Sequence, residues 1–349
     1  MQNPEVKNQV IALRRRFESL LQSSQGWSEF TLDLFRFQAT HNEPYARFVS
    51  LLGVDPSKVN CIDDIPFLPV EVFQKHRVSV FNEPVQGERV FLSSGTTSEG
   101  QSHHYVDNTE WYRVLAEQGF KRCYGSFEDV AFLGLLPGYM ERGHSSLVHM
   151  VKDFMAASLH SDENADFFLR DWDRLEMRLD EYNLMDAPPK KVIIIGVTHA
   201  LLDWAETGVK ASRWRNLTIE IVETGGMKGT RKEWIRTEVH RMLSALSTTG
   251  TVGSEYGMTE MLSQAWSREK GLFHMPPWLQ FRLGSLTDPG EWQPEGRQGR
   301  IHVIDLGNIA SCSFLATGDI GRLNERQQLE VLGRFDHAQI RGCNLMVFE

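Results

Sequence analysis

Three apolar runs dominate the middle of this 349-residue chain: residues 130–136, 191–196 and 217–222. Each reads as a buried strand by composition. Pro137-Gly138 stops the first run, and a helix is expected from about 145 to 157. A helix over 199–206 follows the second run. The third ends at Thr224-Gly225-Gly226, with residues 231–245 helical after it. Alternation of this kind builds an α/β layered domain with a substantially parallel sheet. In such sheets ligands bind beyond the carboxyl ends of the strands, so the loops that follow the strands are where chemistry is expected.

The flanks read differently. Residues 8–24 carry Val10, Leu13, Phe17, Leu20 and Leu21 at helical spacing, and residues 28–53 read as one or two helices broken near Asn42-Glu43-Pro44. Two prolines in Ile65-Pro66-Phe67-Leu68-Pro69-Val70 exclude a regular helix, so this piece is expected to run extended over the core. Residues 88–93 read as a strand and 109–122 as a helix. From about residue 271, Pro276-Pro277, Asp288-Pro289-Gly290, Pro294-Glu295-Gly296 and Gly299 separate short β-prone pieces such as 300–306. The expected division is an α/β core over 1–270, a smaller, mostly antiparallel β-rich subdomain over 271–332, and a hinge-like tail over 333–349.

Bulk properties narrow the function. A net charge of −9 argues against a nucleic-acid partner, which would favour a basic patch. The longest apolar runs, such as Val192-Ile193-Ile194-Ile195, are too short to span a bilayer. The start, Met1-Gln2-Asn3-Pro4, lacks an apolar signal core, so a cytoplasmic location is expected. Cys61, Cys123, Cys312 and Cys343 form no close pair, which disfavours a zinc site or a disulfide framework. Neither Gly143-His144-Ser145-Ser146 nor Gly253-Ser254-Glu255-Tyr256-Gly257 makes the G-x-S-x-G elbow of a serine hydrolase.

The chemistry-bearing segments fall in a fixed order. Ser93-Ser94-Gly95-Thr96-Thr97-Ser98-Glu99-Gly100 is a small, hydroxyl-rich turn whose backbone N–H groups and hydroxyls can wrap phosphates. It is not a Walker A loop, because no Gly-Lys-Ser/Thr follows. Glu223-Thr224-Gly225-Gly226 closes an apolar strand with a turn that lets a flat adenine lie against backbone. Glu255-Tyr256-Gly257-Met258-Thr259-Glu260 offers a Thr and a Glu side by side for phosphate and Mg²⁺, a hard cation that prefers oxygen ligands. Thr317-Gly318-Asp319 offers a carboxylate for two ribose hydroxyls. Each has a plainer reading as a turn, a helix cap or a loop. Their company and order favour ATP-dependent activation of a carboxylic acid as an acyl-adenylate.

These segments resemble those of the adenylate-forming superfamily, which includes acyl-CoA synthetases and firefly luciferase. Its phosphate loop, S-S/T-G-T-T-G-x-P-K, is matched at Ser94-Gly95-Thr96-Thr97 and then departed from at Ser98-Glu99-Gly100-Gln101-Ser102-His103-His104, with no lysine. Gln101, Ser102 or His103 is a candidate replacement donor; the alternative for His103-His104 is an exposed loop pair. The Y-G-x-T-E motif is matched at Tyr256, Gly257, Thr259 and Glu260. The resemblance implies Tyr256 near adenine, Thr259 on the α-phosphate, Glu260 on Mg²⁺ and Asp319 on ribose. Thr224, Gly225 and Gly226 match the adenine turn. Gly333-Arg334-Phe335-Asp336 with Arg341-Gly342 resembles the hinge motif, with Arg334 in reach of ribose or phosphate. His144, Ser145 and Ser146 match a region that lines the acyl pocket.

The resemblance sharpens at Arg341-Gly342-Cys343-Asn344-Leu345, which with Ile65–Pro69 and the variant loop looks like the acyl-protein synthetases of bacterial luminescence operons, the LuxE family. It implies an adenylate-forming core like an N-terminal domain, without the full mobile lid, because the sequence stops at Glu349. It also implies a fatty acid substrate, ATP and Mg²⁺, transfer of the acyl group to Cys343, and a partner protein such as an acyl reductase. A thiolate suits that transfer, and Arg341 lies near it in sequence. The plainer reading of Cys343 is a buried strand cysteine; Cys61, Cys123 and Cys312 are expected to be structural. Two rivals remain: an acyl- or aryl-CoA ligase of the phenylacetate-CoA ligase type, and a non-catalytic nucleotide-binding subunit.

Overall fold

A computed structural model describes residues 4–23, 25–94, 100–137, 143–225, 236–288 and 290–334. The chain opens with α1 (Pro4–Ser23), α2 (Trp27–His41) and α3 (Glu43–Leu51). α1 begins earlier than its apolar stripe indicated. Proline is well placed at a helix start, where its missing N–H would have no intrahelical partner. Val6, Val10, Phe17 and Leu20 face inward. The break at Asn42 falls where Asn42-Glu43-Pro44 placed it. The Asn42 carboxamide accepts from the Tyr45 N–H to cap α3, with Pro44 in the first turn.

Next come β1 (Leu68–Pro69), β2 (Arg89–Leu92), β3 (His103–Val106) and α4 (Thr109–Tyr124). Then β4 (Val130–Leu135), α5 (Ser146–Ala156), α6 (Trp172–Leu184), β5 (Lys191–Val197), α7 (Thr198–Glu206), β6 (Ile219–Thr224), α8 (Arg236–Leu243), β7 (Val252–Tyr256) and β8 (Ala265–Ser267) build the layered part. The remainder is β9 (Leu272–Phe273), β10 (Leu279–Gly284), β11 (Gln298–Asp305), β12 (Phe314–Leu323) and β13 (Leu329–Arg334). α6 was not foreseen. Its inward set, Leu175, Leu179 and Tyr182, has helical spacing but is diluted by charged residues on the outer face.

β4, β5, β6 and β7 lie side by side and parallel, and β8 closes the sheet antiparallel to β7. The strands read as unbroken apolar runs because both faces are covered. Ala131, Leu133, Ile194, Ile219 and Ile221 pack with Leu175 and Leu179 of α6 and Leu201 of α7 on one side. Phe132, Ile193, Ile195 and Val222 belong to the larger core on the other, with Phe120 of α4 and Phe154 of α5.

The second sheet runs β10-β11-β12-β13-β9, all antiparallel, with β1 added in parallel against β12. Leu68 and Pro69 pair with Leu315 and Ala316, where β13 no longer accompanies β12. The twin prolines thus mark an extended segment, as expected. α2 and α3 pack on this sheet: Phe35 and Tyr45 both contact the Phe314 ring. Sequence order is therefore not spatial order, because the first helices cover the last strands. Among the described residues no helix is long and apolar enough to cross a membrane.

The two halves of the first sheet are stitched by α4. The Tyr124 hydroxyl passes over Gly253 of β7 to donate to the Ser267 carbonyl of β8 at 2.9 Å. A Cβ at position 253 would lie 2.1 Å from that hydroxyl oxygen and 2.8 Å from the carbonyl oxygen. Gly253→Ala should therefore destabilise the fold by about 1–3 kcal/mol, the usual cost of overfilling a packed site. An unchanged urea midpoint for the variant would refute this packing.

Candidate active site

The carboxyl ends of β5, β6 and β7 converge, and polar side chains crowd there. Thr198, the first residue of α7, places its hydroxyl 2.7 Å from the Glu223 carboxylate and 2.6 Å from the Gly225 carbonyl oxygen. Gly225 has φ +74°, a left-handed conformation that favours glycine. His240 of α8 sits with Nε2 3.2 Å from Ser254 Oγ and 3.6 Å from Glu223 Oε1, and Arg236 Nε lies 3.7 Å from the same carboxylate oxygen. Burial alone would push the Glu223 acid up. The hydrogen bonds from His240, Ser254 and Thr198 and the Arg236 charge outweigh it and hold the carboxyl below its ordinary range.

Its neighbour across the strand pair behaves in the opposite way. Thr224 and Glu255 are in register between β6 and β7, and the Thr224 hydroxyl donates to Glu255 Oε2. Burial pushes the Glu255 acid up to about 7; the Thr224 bond works against the shift, and the Glu223 charge adds to it. A Cβ on Gly257 would lie 2.4 Å from Glu255 Oε1, so this position has no room for a side chain while that carboxyl stays where it is.

Tyr256 and Asp319 join the two sheets. The Tyr256 hydroxyl donates to Asp319 Oδ2 at 2.9 Å, and Arg334 Nε stands 3.4 Å from Asp319 Oδ1. Asp319 and Arg334 are cross-strand partners of β12 and β13. The Tyr256 ring packs against Phe273 and Phe281 of the second sheet. Three residues that the sequence reading gave to the nucleoside are thus brought together, although 63 positions separate the first from the second.

Thr259 and Glu260 follow directly on the turn after β7. The segment behind them is fastened to a buried carboxylate: Asp305 accepts from the Leu262 and Ser263 N–H groups at 2.8 and 2.9 Å, and from the Ser263 hydroxyl at 2.6 Å. Glu260 itself is only 5% exposed. His103 and His104 are not an exposed loop pair. Both belong to β3, whose alternation turns His104 fully inward, where its Nδ1 lies 2.7 Å from the Thr259 carbonyl oxygen.

Ser93 ends β2. Its N–H donates to the Ser102 carbonyl at 3.1 Å, and its hydroxyl accepts from the Ser102 N–H at 2.9 Å. Gln101, a candidate donor for phosphate, gives its amide to the Ser93 carbonyl at 3.2 Å. Ser94 is exposed. Gly95, Thr96, Thr97, Gly226 and Cys343 lie outside the described residues. The His144 ring is 3.3 Å from the Val90 carbonyl, Ser145 caps α5 through the Val148 N–H, and the Ser146 carbonyl accepts from the Tyr112 hydroxyl at 3.1 Å. This turn is thereby tied to β2 and α4.

Sequence reasoning gave no role to Thr198, His240 or Asp305, nor to Glu223 and Glu255, although these two stand in segments it singled out. Thr198, Glu223 and Glu255 carried a usable signal, being polar at the ends of apolar strands; the others carried none. Of the cysteines expected to be structural, Cys312 is buried, with its thiol pushed up to about 12, and Cys123 is partly buried, at about 11. Cys61 is exposed instead, in the turn after Asn60.

The Glu255 shift makes a pH prediction. A carboxyl whose pKa is raised on folding adds stability that is complete below its unfolded value and is lost as pH rises through about 7. Glu255→Gln should therefore flatten the fall of Tm between pH 5 and 8. A variant with the same pH slope as the parent would show that Glu255 is not protonated in this way.

A family model described as "Acyl-protein synthetase, LuxE" matches residues 5–349. A long-chain-fatty-acid–luciferin-component ligase of Vibrio harveyi is 22% identical over 94% of this chain and 88% of its own length. ATP-bound MatB from Rhodopseudomonas palustris superposes with a TM-score of 0.50 at 18% identity, over 70% of this chain and 47% of that one. A long-chain-fatty-acid-CoA ligase (FadD1) from Archaeoglobus fulgidus gives 0.50 at 18% identity, over 74% and 53%. The chain spans about half the length of these solved structures, and they show the fold: the layered α/β core of adenylate-forming enzymes. With the parallel sheet, the second antiparallel sheet and the match over nearly the whole sequence, this chain belongs to the LuxE acyl-protein synthetase family and is a ligase.

Proposed function

We propose that the protein activates a fatty acid with ATP as an acyl-adenylate, then carries the acyl group on Cys343 before a partner protein, such as an acyl reductase, accepts it. The observation that carries this reading is the meeting of Tyr256, Asp319 and Arg334 beside the turn that bears Thr259 and Glu260. A carboxylate already held by a phenol and a guanidinium is oriented to accept two ribose hydroxyls. Thr224 and Gly225 present backbone to the adenine, and Tyr256 supplies the ring beside it. Ser93, Ser94, Gly95, Thr96 and Thr97 cradle the phosphates, and His144, Ser145 and Ser146 flank the acyl chain.

Mg²⁺ fits this donor set in one particular way. Among the described residues no group of three or more His, Cys, Asp or Glu could hold a metal. A cation that keeps several waters and binds one or two carboxylates plus substrate phosphates needs no such cage, and Glu260 supplies the carboxylate. When bound, it neutralises charge on the phosphates. The protein's own part is positioning. A carboxylate oxygen of the acid attacks the α-phosphorus, Thr259 donates to an α-phosphate oxygen, and the bond to pyrophosphate breaks. The Cys343 thiolate then attacks the acyl carbonyl, a thioester forms, and AMP leaves with the anhydride oxygen.

Carboxylate-dependent ATP–pyrophosphate exchange across acetate, long-chain and aryl acids tests the first step. Exchange confined to fatty acids supports the reading, exchange with aryl acids alone favours a CoA ligase, and no exchange with any acid sinks adenylation. Asp319→Ala should raise the KM for ATP by roughly 10-fold or more, the worth of a hydrogen bond to a charged group; an unchanged KM removes Asp319 from the nucleotide site. Cys343→Ala should keep exchange yet fail to retain acyl label on the denatured protein. Label retained by that variant would place the thioester elsewhere.

A further inference from the structure

His104 occupies an unusual place for a histidine. It is fully buried on β3, 155 residues from the segment it touches. Its Nδ1 is 2.7 Å from the Thr259 carbonyl oxygen, an atom that can only accept, so Nδ1 carries a proton. Its Nε2 is 3.2 Å from Asn308 Oδ1. The orientation of Asn308 is itself determined: its Nδ2 donates to the Glu260 carbonyl at 2.8 Å and to the Cys312 carbonyl at 3.0 Å, which leaves only Oδ1 to face the ring. The contact to the Thr259 carbonyl is the shorter of the two.

The consequence is a pair of donors, one from His104 and one from Asn308, fixed on two consecutive carbonyls, those of Thr259 and Glu260. The two peptide planes that flank the Glu260 Cα are thereby set, and with them the direction in which its side chain leaves the backbone; the first of the two also holds one side of the Thr259 Cα. Asn308 is held in turn by the α2 residue Gln38, whose amide donates to the Asn308 carbonyl at 2.9 Å. Phe73 closes over the imidazole edge-on, with ring centroids 5.7 Å apart.

We propose that His104 is a positioning residue for acid activation: through its Nδ1–H on the Thr259 carbonyl, partnered by Asn308 on Glu260, it aims the two side chains that act on the reacting phosphate. The inference rests on the function proposed above. It assigns no contact between His104 and substrate.

Three variants test it in ATP–pyrophosphate exchange. His104→Phe keeps a flat ring but no donor, and a misplacement of about 1 Å can cost about 100-fold in rate; kcat should fall by about that factor while the KM for ATP stays within about 3-fold. His104→Asn puts an amide nitrogen where Nδ1 was and should recover at least about 10-fold of the loss. Phe73→Leu loosens the same spot without touching either hydrogen bond and should lower Tm with kcat retained. If His104→Phe does not fold, His104→Gln, which faces Asn308 but leaves the Thr259 carbonyl without a donor, takes its place. Full kcat in the Phe or Gln variant, equal losses in it and Phe73→Leu, or no recovery with Asn would each overturn the inference. If the unaltered protein exchanges with no acid, the function proposed above fails instead. Amide hydrogen exchange over residues 257–262 then decides on His104 alone: faster opening in the Phe or Gln variant and not in the Asn variant upholds the geometric role, and equal protection in all of them removes it.

Discussion

The turn between β11 and β12, residues 305–313, is buried along its whole length, and the rest of the structure is arranged to satisfy its polar groups. Buried backbone without partners costs more than most folds can bear, so a loop in this position must be answered from every side. Gln38 donates to the Asn308 and Ile309 carbonyls, and its own oxygen takes the Ser313 N–H. Asn42 donates to the Ser311 carbonyl. The Trp111 indole donates to the Gly307 carbonyl, and the Val80 N–H reaches the Ala310 carbonyl. Those partners come from α2, the α2–α3 junction, α4 and the strand-poor segment before β2. One turn thus fastens the amino-terminal helices to the second sheet.

The same turn reaches forward into the site. Asp305 at its start holds Leu262 and Ser263, and Asn308 at its centre holds the Glu260 carbonyl. The loop that bears Thr259 and Glu260 is therefore carried by a buried, hydrogen-bonded turn and not by solvent-exposed backbone. This is how a chemically ordinary Thr-Glu pair acquires a defined direction. Electrostatics at the neighbouring strand ends is divided in a similar way. Glu223, ringed by donors and a guanidinium, is kept charged, while Glu255, one strand over and with a single hydroxyl partner, is pushed towards its neutral form. Two adjacent carboxylates in one low-dielectric place could not both ionise cheaply, and the distribution of donors decides which does.

Much of this was legible in the residues. The three apolar runs are three adjacent parallel strands, β4, β5 and β6, and the twin prolines at 66 and 69 do mark an extended segment. Tyr256, Asp319 and Arg334 were assigned to one site from motifs and are found in contact. Less legible were α6, whose charged outer face hid a short inward stripe, and His104, whose sequence neighbours suggested a surface pair. The His104 environment is made by residues 259 and 308, and no local pattern in positions 100–106 encodes them.

The sequence alone determined what local physics controls: apolar strands covered on both faces, a break at Asn42-Glu43-Pro44, and glycine where the Thr224-Gly225 turn needs a left-handed backbone. Short-range sterics and hydrophobic periodicity act within a few residues and can be read in order. Only the tertiary structure decided that the first helices cover the last strands, that Glu223 and Glu255 titrate in opposite directions, and that a histidine on β3 steadies a loop 155 residues away. Those outcomes depend on desolvation and on hydrogen-bond partners gathered from distant parts of the chain. Both exist only once the core has closed.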